Sequence, residues 1–212
     1  MRTSRKQLAS LTWDALCEAF PDSECTLDND TPERLAIRGI LSAQCTDTRV
    51  NLTCVDLFEK YPSMEMLSKA SEEEIGEIIR PCGLHKMKSK SVKAFSTLFV
   101  NEWGGKVPTD IKELMKCPGV GKKIANLIVG EIYRIPAIVV DTHCKRVMKR
   151  IGLTDNDDPL KVEADLNKVF PEETWISLGH RAVDLGRNFC GARDPKCGIC
   201  PLTSFCKKRI KI

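Results

Sequence analysis

The stretch Cys117-Pro118-Gly119-Val120-Gly121-Lys122-Lys123 constrains the surrounding fold most, because helical patterning lies on both sides of it. Upstream, Thr109-Asp110 caps a short run in which Ile111, Leu114 and Met115 stand at helical spacing. Downstream, Ile124, Leu127, Ile128 and Ile132 form one apolar face of a second helix. Pro118 stops the first helix, and Gly119 and Gly121 supply the positive φ angles of a tight turn. Helices joined in this way present the first amides of the second helix outward, beside Lys122 and Lys123. That is an anion site, and a backbone phosphate of DNA fits it. The competing reading is an ordinary helical hairpin with two solvated lysines.

The rest of the chain also reads as helix. Leu8, Leu11, Ala15 and Ala19 recur at helical spacing before Pro21-Asp22, and a polar loop, Asp28-Asn29-Asp30, follows. Thr31 with Pro32 opens a nearly all-apolar helix through Leu41. Asp47 caps the next, which is expected to bury Val50, Val55 and Phe58. Ser71-Glu72-Glu73-Glu74 is a capping box before Ile75, Ile78 and Ile79. Further helices are expected from Met87 to Trp103, from Asp158-Pro159 through Val169, and from Glu172 to Leu185. The segment from Ile135 to Val140 is strand-like but has no partner, so it is read as extended chain leading to Asp141 at a helix start. The fold class is all-α.

At 212 residues and 42% hydrophobic content the chain builds a real core, as one domain or two small ones. A net charge of +4 does not by itself announce a nucleic-acid partner; the placement of the charges matters more. No apolar run reaches the ~20 residues of a membrane span, and the start, Met1-Arg2-Thr3-Ser4-Arg5-Lys6, lacks a signal-peptide core. The expectation is a cytoplasmic, nucleoid-associated protein with no membrane contact.

Cysteine usage divides the chain. Of eleven cysteines, Cys17, Cys25, Cys45, Cys54, Cys82, Cys117 and Cys144 are scattered, and read as reduced, mostly buried small residues. The other four, Cys190, Cys197, Cys200 and Cys206, follow the spacing Cys-x6-Cys-x2-Cys-x5-Cys. Four thiolates so close in sequence close around one metal centre without help from the rest of the fold. Spacing leaves an iron–sulfur cluster and a structural zinc both open.

Gly119-Val120-Gly121-Lys122-Lys123, followed by Val139-Val140-Asp141-Thr142-His143, resembles the helix-hairpin-helix DNA glycosylases, and most of all their endonuclease III branch. The resemblance covers nearly the whole chain. It implies a two-lobed fold: a helical barrel of residues about 24–134 containing the hairpin at about 110–133, and a second lobe joining 1–23 to 135–212. The active site would lie in the cleft between them. It also implies that Cys190, Cys197, Cys200 and Cys206 hold a [4Fe-4S] cluster.

By the same resemblance, Lys123 is the nucleophile and Asp141 its partner. The implied enzyme is a monomer that excises damaged bases, oxidised pyrimidines foremost, from double-stranded DNA, and also acts at abasic sites. Lys123 attacks C1′, displaces the base and forms a Schiff base, and β-elimination then breaks the strand. A lysine amine needs a lowered pKa for this, for which burial and neighbouring Lys122 are the available causes. Asp141 otherwise reads as a plain N-cap, and the two roles are compatible.

Ser42-Ala43-Gln44-Cys45-Thr46-Asp47 resembles the family segment whose glutamine fills the hole left by a flipped base. Gly83-Leu84 matches its wedge turn, ahead of the basic run Lys86, Lys88, Lys90 and Lys93, and His143 matches a position beside the lesion pocket. Read without the family, the first is a helix end with its following cap and the second an ordinary turn. Arg193 and Lys196, between the first two cluster cysteines, are candidate phosphate contacts, as are Gly119, Gly121 and Lys122 in the hairpin. One departure is visible: Leu185-Gly186-Arg187 stands where the family commonly has His-Gly-Arg, which puts a DNA contact there in doubt. Alternatives are a mismatch or adenine-type glycosylase of the same fold, and a non-catalytic iron–sulfur protein of DNA binding or electron transfer. Lys123 argues against the adenine type, and Lys123 with Asp141 against the carrier.

Overall fold

A computed structural model describes residues 3–210 and places them in two compact units, Cys25–Ile135 and a second that runs up to Glu24 and resumes at Pro136. Among the described residues there is no strand, only an isolated bridge between Cys190 and Pro195. No helix among them is long and apolar enough to cross a membrane.

The unit Cys25–Ile135 holds α2 (Pro32–Leu41), α3 (Asp47–Lys60), α4 (Met64–Lys69), α5 (Glu72–Ile78), α6 (His85–Asn101), α7 (Ile111–Leu114) and α8 (Lys122–Tyr133). Its centre is α2, which Thr31 caps and Pro32 begins, and which is buried from Leu35 to Leu41. A helix buried on all sides still carries Arg38, so that charge needs partners. Asp30 supplies a carboxylate and Asp28 a backbone carbonyl at 2.8 Å, which gives the polar loop a structural task.

In α3 the buried stripe is Val50, Thr53, Cys54, Leu57 and Phe58, whereas Val55 is 61% exposed. Val55 lies five residues after Val50, about 140° around the helix at 100° per residue, so it cannot share that stripe. Asp47 does not cap α3 but forms its first residue, and its carboxylate accepts from Thr26 at 2.5 Å.

The hairpin is seated between two neighbours. Gly39 of α2 passes so close to α8 that a Cβ there would stand 3.0 Å from Ile124. Gly119 has φ +85, and a Cβ on it would meet Ser91 of α6 at 2.6 Å. Gly121 differs from expectation: it is the N-cap of α8 at φ −88 and ψ 178, extended backbone open to any residue, with nothing near its would-be Cβ. Gly119→Ala is therefore expected to destabilise the protein by about 2 kcal/mol. Gly121→Ala should cost less than about 1 kcal/mol. Denaturant midpoints measured side by side check the pair; equal shifts would contradict the assigned backbone.

The second unit packs α1 (Arg5–Ala19), α9 (Thr142–Ile151), α10 (Pro159–Asn167) and α11 (Trp175–Asn188) around one core. Ser4 and Gln7 close a capping box on α1, whose buried stripe is Leu8, Thr12 and Leu16, leaving Leu11 outside. Extended chain after Pro136 buries Ala137, Ile138 and Val140 and then turns into α9. Gly179 and Gly186 of α11 let it close on its neighbours: a Cβ on Gly186 would meet His143 Nδ1 at 2.7 Å and Arg146 at 3.0 Å.

Candidate active site and cysteine-lined cavity

Lys122 and Lys123 are the first two residues of α8, and no side chain caps this helix. Lys123 is exposed. The positive end of the α8 dipole and the two lysines together favour an anion at this terminus. Nothing in the fold requires Gly121 to lack a side chain, but a phosphate approaching the first amides of α8 would benefit from its absence.

Gln44 and Leu84 share an uncommon backbone. Gln44 has φ 55 in the turn between α2 and α3, and Leu84 has φ 51 as the residue that opens α6. A left-handed conformation is costly for a branched residue such as leucine, on the order of 1–2 kcal/mol, and here it holds an apolar side chain 44% exposed.

The basic run after Leu84 is not a uniformly solvated face. Lys88 is 2% exposed, and its Nζ donates to the Leu41 and Cys82 carbonyls, each at 2.8 Å. Lys93 Nζ donates to the Ala70 carbonyl at 2.8 Å. These two lysines tie segments together, leaving Lys86 and Lys90 as the exposed members. Burial lowers the Lys88 pKa below the usual lysine range.

In the other unit, Asp141 is the N-cap of α9, and its Oδ1 accepts from the Cys144 amide at 2.7 Å. Its carboxylate thus sits at the positive end of a helix and is only half-buried. Thr142 and His143 occupy the first turn; His143 Nδ1 lies 3.1 Å from Arg146 Nη2.

Cys190, Cys197, Cys200 and Cys206 line one cavity, together with Arg150 and apolar walls that include Leu185, Phe189 and Leu202. Among the described residues no three His, Cys, Asp or Glu side chains are grouped as ligands of a single metal ion. Four thiols lining one largely apolar cavity are a donor set for a thiophilic metal group.

Arg146 and Arg150, which no sequence motif singles out, fasten this loop. Arg150 donates to the carbonyls of Gly191 at 2.6 Å and Ala192 at 2.9 Å, and its Nη1 lies 3.5 Å from Cys190 Sγ. Arg146 Nε donates to the Cys190 carbonyl at 2.9 Å. The Lys208 amide donates to Cys206 Sγ at 3.4 Å. Arg193 and Lys196 are exposed on this pinned loop, with the Lys196 amide held by the Phe189 carbonyl at 2.8 Å. Leu185 is 1% exposed and forms cavity wall, which removes that position from any solvent-side contact. The cationic spacing of α9 was the available signal for Arg146 and Arg150, but it does not tell which cations face inward.

Residues 37–172 match the family model described as HhH-GPD superfamily base excision DNA repair protein. The chain belongs to that family. It is 40% identical to endonuclease III of Bacillus subtilis over 92% of this chain and 90% of the relative. To endonuclease III of Synechocystis it is 39% identical over 96% of this chain and 93% of the relative. A solved structure of a trapped endonuclease III–DNA covalent intermediate superposes with a TM-score of 0.91 at 40% identity, covering 96% of each chain. The protein is thus a base excision repair enzyme, a DNA glycosylase and AP lyase, with the all-helical fold of those enzymes.

Proposed function

We propose that this enzyme removes damaged bases, oxidised pyrimidines foremost, from double-stranded DNA, with Lys123 as the nucleophile. The observation that carries the reading is Lys123 itself: an exposed amine in the first turn of a helix with no side-chain cap, next to a glycine the fold does not need. A phosphate at that terminus, held by α8 amides, Lys122 and the open backbone of Gly119 and Gly121, places the amine beside the sugar of the same nucleotide. Desolvation of the amine then comes from the closing DNA rather than from the protein. Lys123 attacks C1′, the base leaves, and the resulting imine permits β-elimination. Asp141 stabilises the positive charge developing on the sugar and takes part in the lysine proton transfer.

Gln44 and Leu84 are assigned to the opened stack, Gln44 in the place of the flipped base and Leu84 as a wedge. Their left-handed backbones support this, since strain at exposed residues is retained where a particular side-chain placement is needed. His143 is assigned to the lesion pocket, and Arg193 and Lys196 to phosphates. Duplexes carrying single defined lesions, incubated with borohydride, test the reading. A covalent adduct on oxidised pyrimidines supports it, and an adduct formed only on abasic DNA would remove the glycosylase substrate assignment.

Endonuclease III enzymes are known for a [4Fe-4S] cluster, and the donor set here fits one. Cys190, Cys197, Cys200 and Cys206 would hold it, with Arg150 and the Lys208 amide directed at the sulfurs. When bound, it supplies four covalent ties to a loop that otherwise has few apolar anchors. Purified protein is expected to be yellow-brown with about four irons and no stoichiometric zinc. Cys197→Ser should lower the folded yield. One zinc and no iron on metal analysis would overturn the assignment.

A further inference from the structure

Lys88 takes no part in the chemistry above, yet a lysine only 2% exposed carries a charge that burial penalises unless partners meet it. Its Nζ is met by backbone: it donates to the carbonyls of Leu41 and Cys82, each at 2.8 Å. Leu41 is the last residue of α2, and Cys82 the last of the short 3-10 turn Arg80–Cys82. Carbonyls at helix ends have no partner within the helix, and a cation suits them.

A turn follows each carbonyl. After Leu41 the chain turns through Ser42 to Cys45, whose amide donates to the Ser42 carbonyl at 3.2 Å, with Gln44 at φ 55. After Cys82 come Gly83 at φ 69 and Leu84 at φ 51. The Leu84 carbonyl accepts from the amide of Lys88 itself at 3.0 Å. Lys88 therefore grips the Leu84 turn on both sides, by its amide after Leu84 and by its ammonium before it. A second ammonium proton reaches across to the start of the Gln44 turn.

We propose that Lys88 is a positioning residue for lesion engagement: by bonding the Leu41 and Cys82 carbonyls at once, its ammonium fixes the spacing between the turn that carries Gln44 and the turn that carries Leu84. Left-handed backbone at residues other than glycine persists only where its surroundings over-determine it, and these bonds do so at both turns. Lys93 provides the contrast within α6. It donates to the carbonyl of Ala70, the C-cap of α4, which borders neither turn. The consequence for activity rests on the reading of Gln44 and Leu84 as lesion-contacting. Both are assigned to one opened stack, so their spacing has to match the DNA, and a displacement of about 1 Å costs up to roughly 10²-fold in rate.

The test compares the full-length protein with Lys88→Met, Lys88→Gln and Lys93→Met. Competent enzyme in each is counted by borohydride trapping on abasic duplex run to completion, so that a loss of folded protein does not pass for a loss of rate. Per competent enzyme, Lys88→Met should lower single-turnover excision of an oxidised pyrimidine by roughly 10- to 100-fold. Cleavage at an abasic site should fall less, since no base has to leave the stack. Lys88→Gln, which keeps a donor for one carbonyl, should fall between, and Lys93→Met should match the unaltered enzyme. Hydrogen exchange at the Cys45 and Gly83 amides, which close the two turns, should quicken by roughly 10-fold in Lys88→Met, the scale of a buried acceptor left unpaired. In a Gln44→Ala/Leu84→Ala background Lys88→Met should cost little further, because residues acting through one another are not additive. Unchanged exchange at both turns, an undiminished fold-loss in that background, or an equal loss in Lys93→Met would overturn the proposal. Quickened exchange with undiminished excision would keep the coupling of the turns and overturn the lesion-contact reading of Gln44 and Leu84. If Lys88→Met does not fold, Lys88→Gln decides by the same measures.

Discussion

Lys123→Gln is expected to abolish the borohydride-trapped adduct on lesion DNA while leaving DNA binding close to that of the unaltered enzyme. Glutamine matches lysine approximately in reach and polarity but has no amine, and its amide nitrogen lone pair is delocalised, so no imine forms. Binding survives because Lys122, the α8 amides and the glycines of the turn are untouched. Folding survives too, since Lys123 is exposed and substitutions at such positions usually change stability by no more than about 0.5 kcal/mol. Loss of a cation from a helix N-terminus would, if anything, favour α8 slightly. Single-turnover trapping with a matched binding titration reads both quantities. A persistent adduct would move the nucleophile elsewhere, with Lys122 the first candidate.

Asp141→Asn separates catalysis from capping. Asparagine caps a helix about as well as aspartate, so the bond to the Cys144 amide should persist and the melting temperature should change little. The rate should nevertheless fall by roughly 10²–10⁴-fold, the scale of a lost proton-handling group. Asp141→Ala adds the loss of the cap, worth about 1 kcal/mol, and should lower the melting temperature where the asparagine variant does not. Full activity in Asp141→Asn would leave Asp141 a cap alone.

Helix starts were readable because the relevant interactions are local. Thr31, Ser71, Asp110 and Asp158 each accept from an amide two or three residues ahead, so the donor and acceptor lie in one short stretch of sequence. The all-helical class follows from the same local signals and from apolar spacing. The short helix α4 was missed although Ser63 caps it, because six residues carry too little periodicity to register.

Membership of the base excision repair family was legible in Gly-Val-Gly-Lys-Lys, Val-Asp-Thr-His and the cysteine spacing, each of which is contiguous. Lys88 shows where that legibility stops. In sequence it is one of several lysines following a turn; in the structure the ends of α2 and of the Cys82 turn bring two carbonyls within 2.8 Å of its ammonium. Arg150 likewise meets Gly191 and Ala192 only after α9 and the C-terminal loop have packed. Val55 shows that an apolar residue declares a preference for burial, but its azimuth on the helix decides whether it is granted. Gly121 and Gly119 look alike in sequence, yet only Gly119 is required by its φ and by Ser91. By itself, then, the sequence determined the helical class, the caps, the family and the cysteine set, all of which rest on neighbours along the chain. The tertiary structure decided which cations are solvated and which glycine is obligatory, because those outcomes depend on groups far apart in sequence arriving at one place.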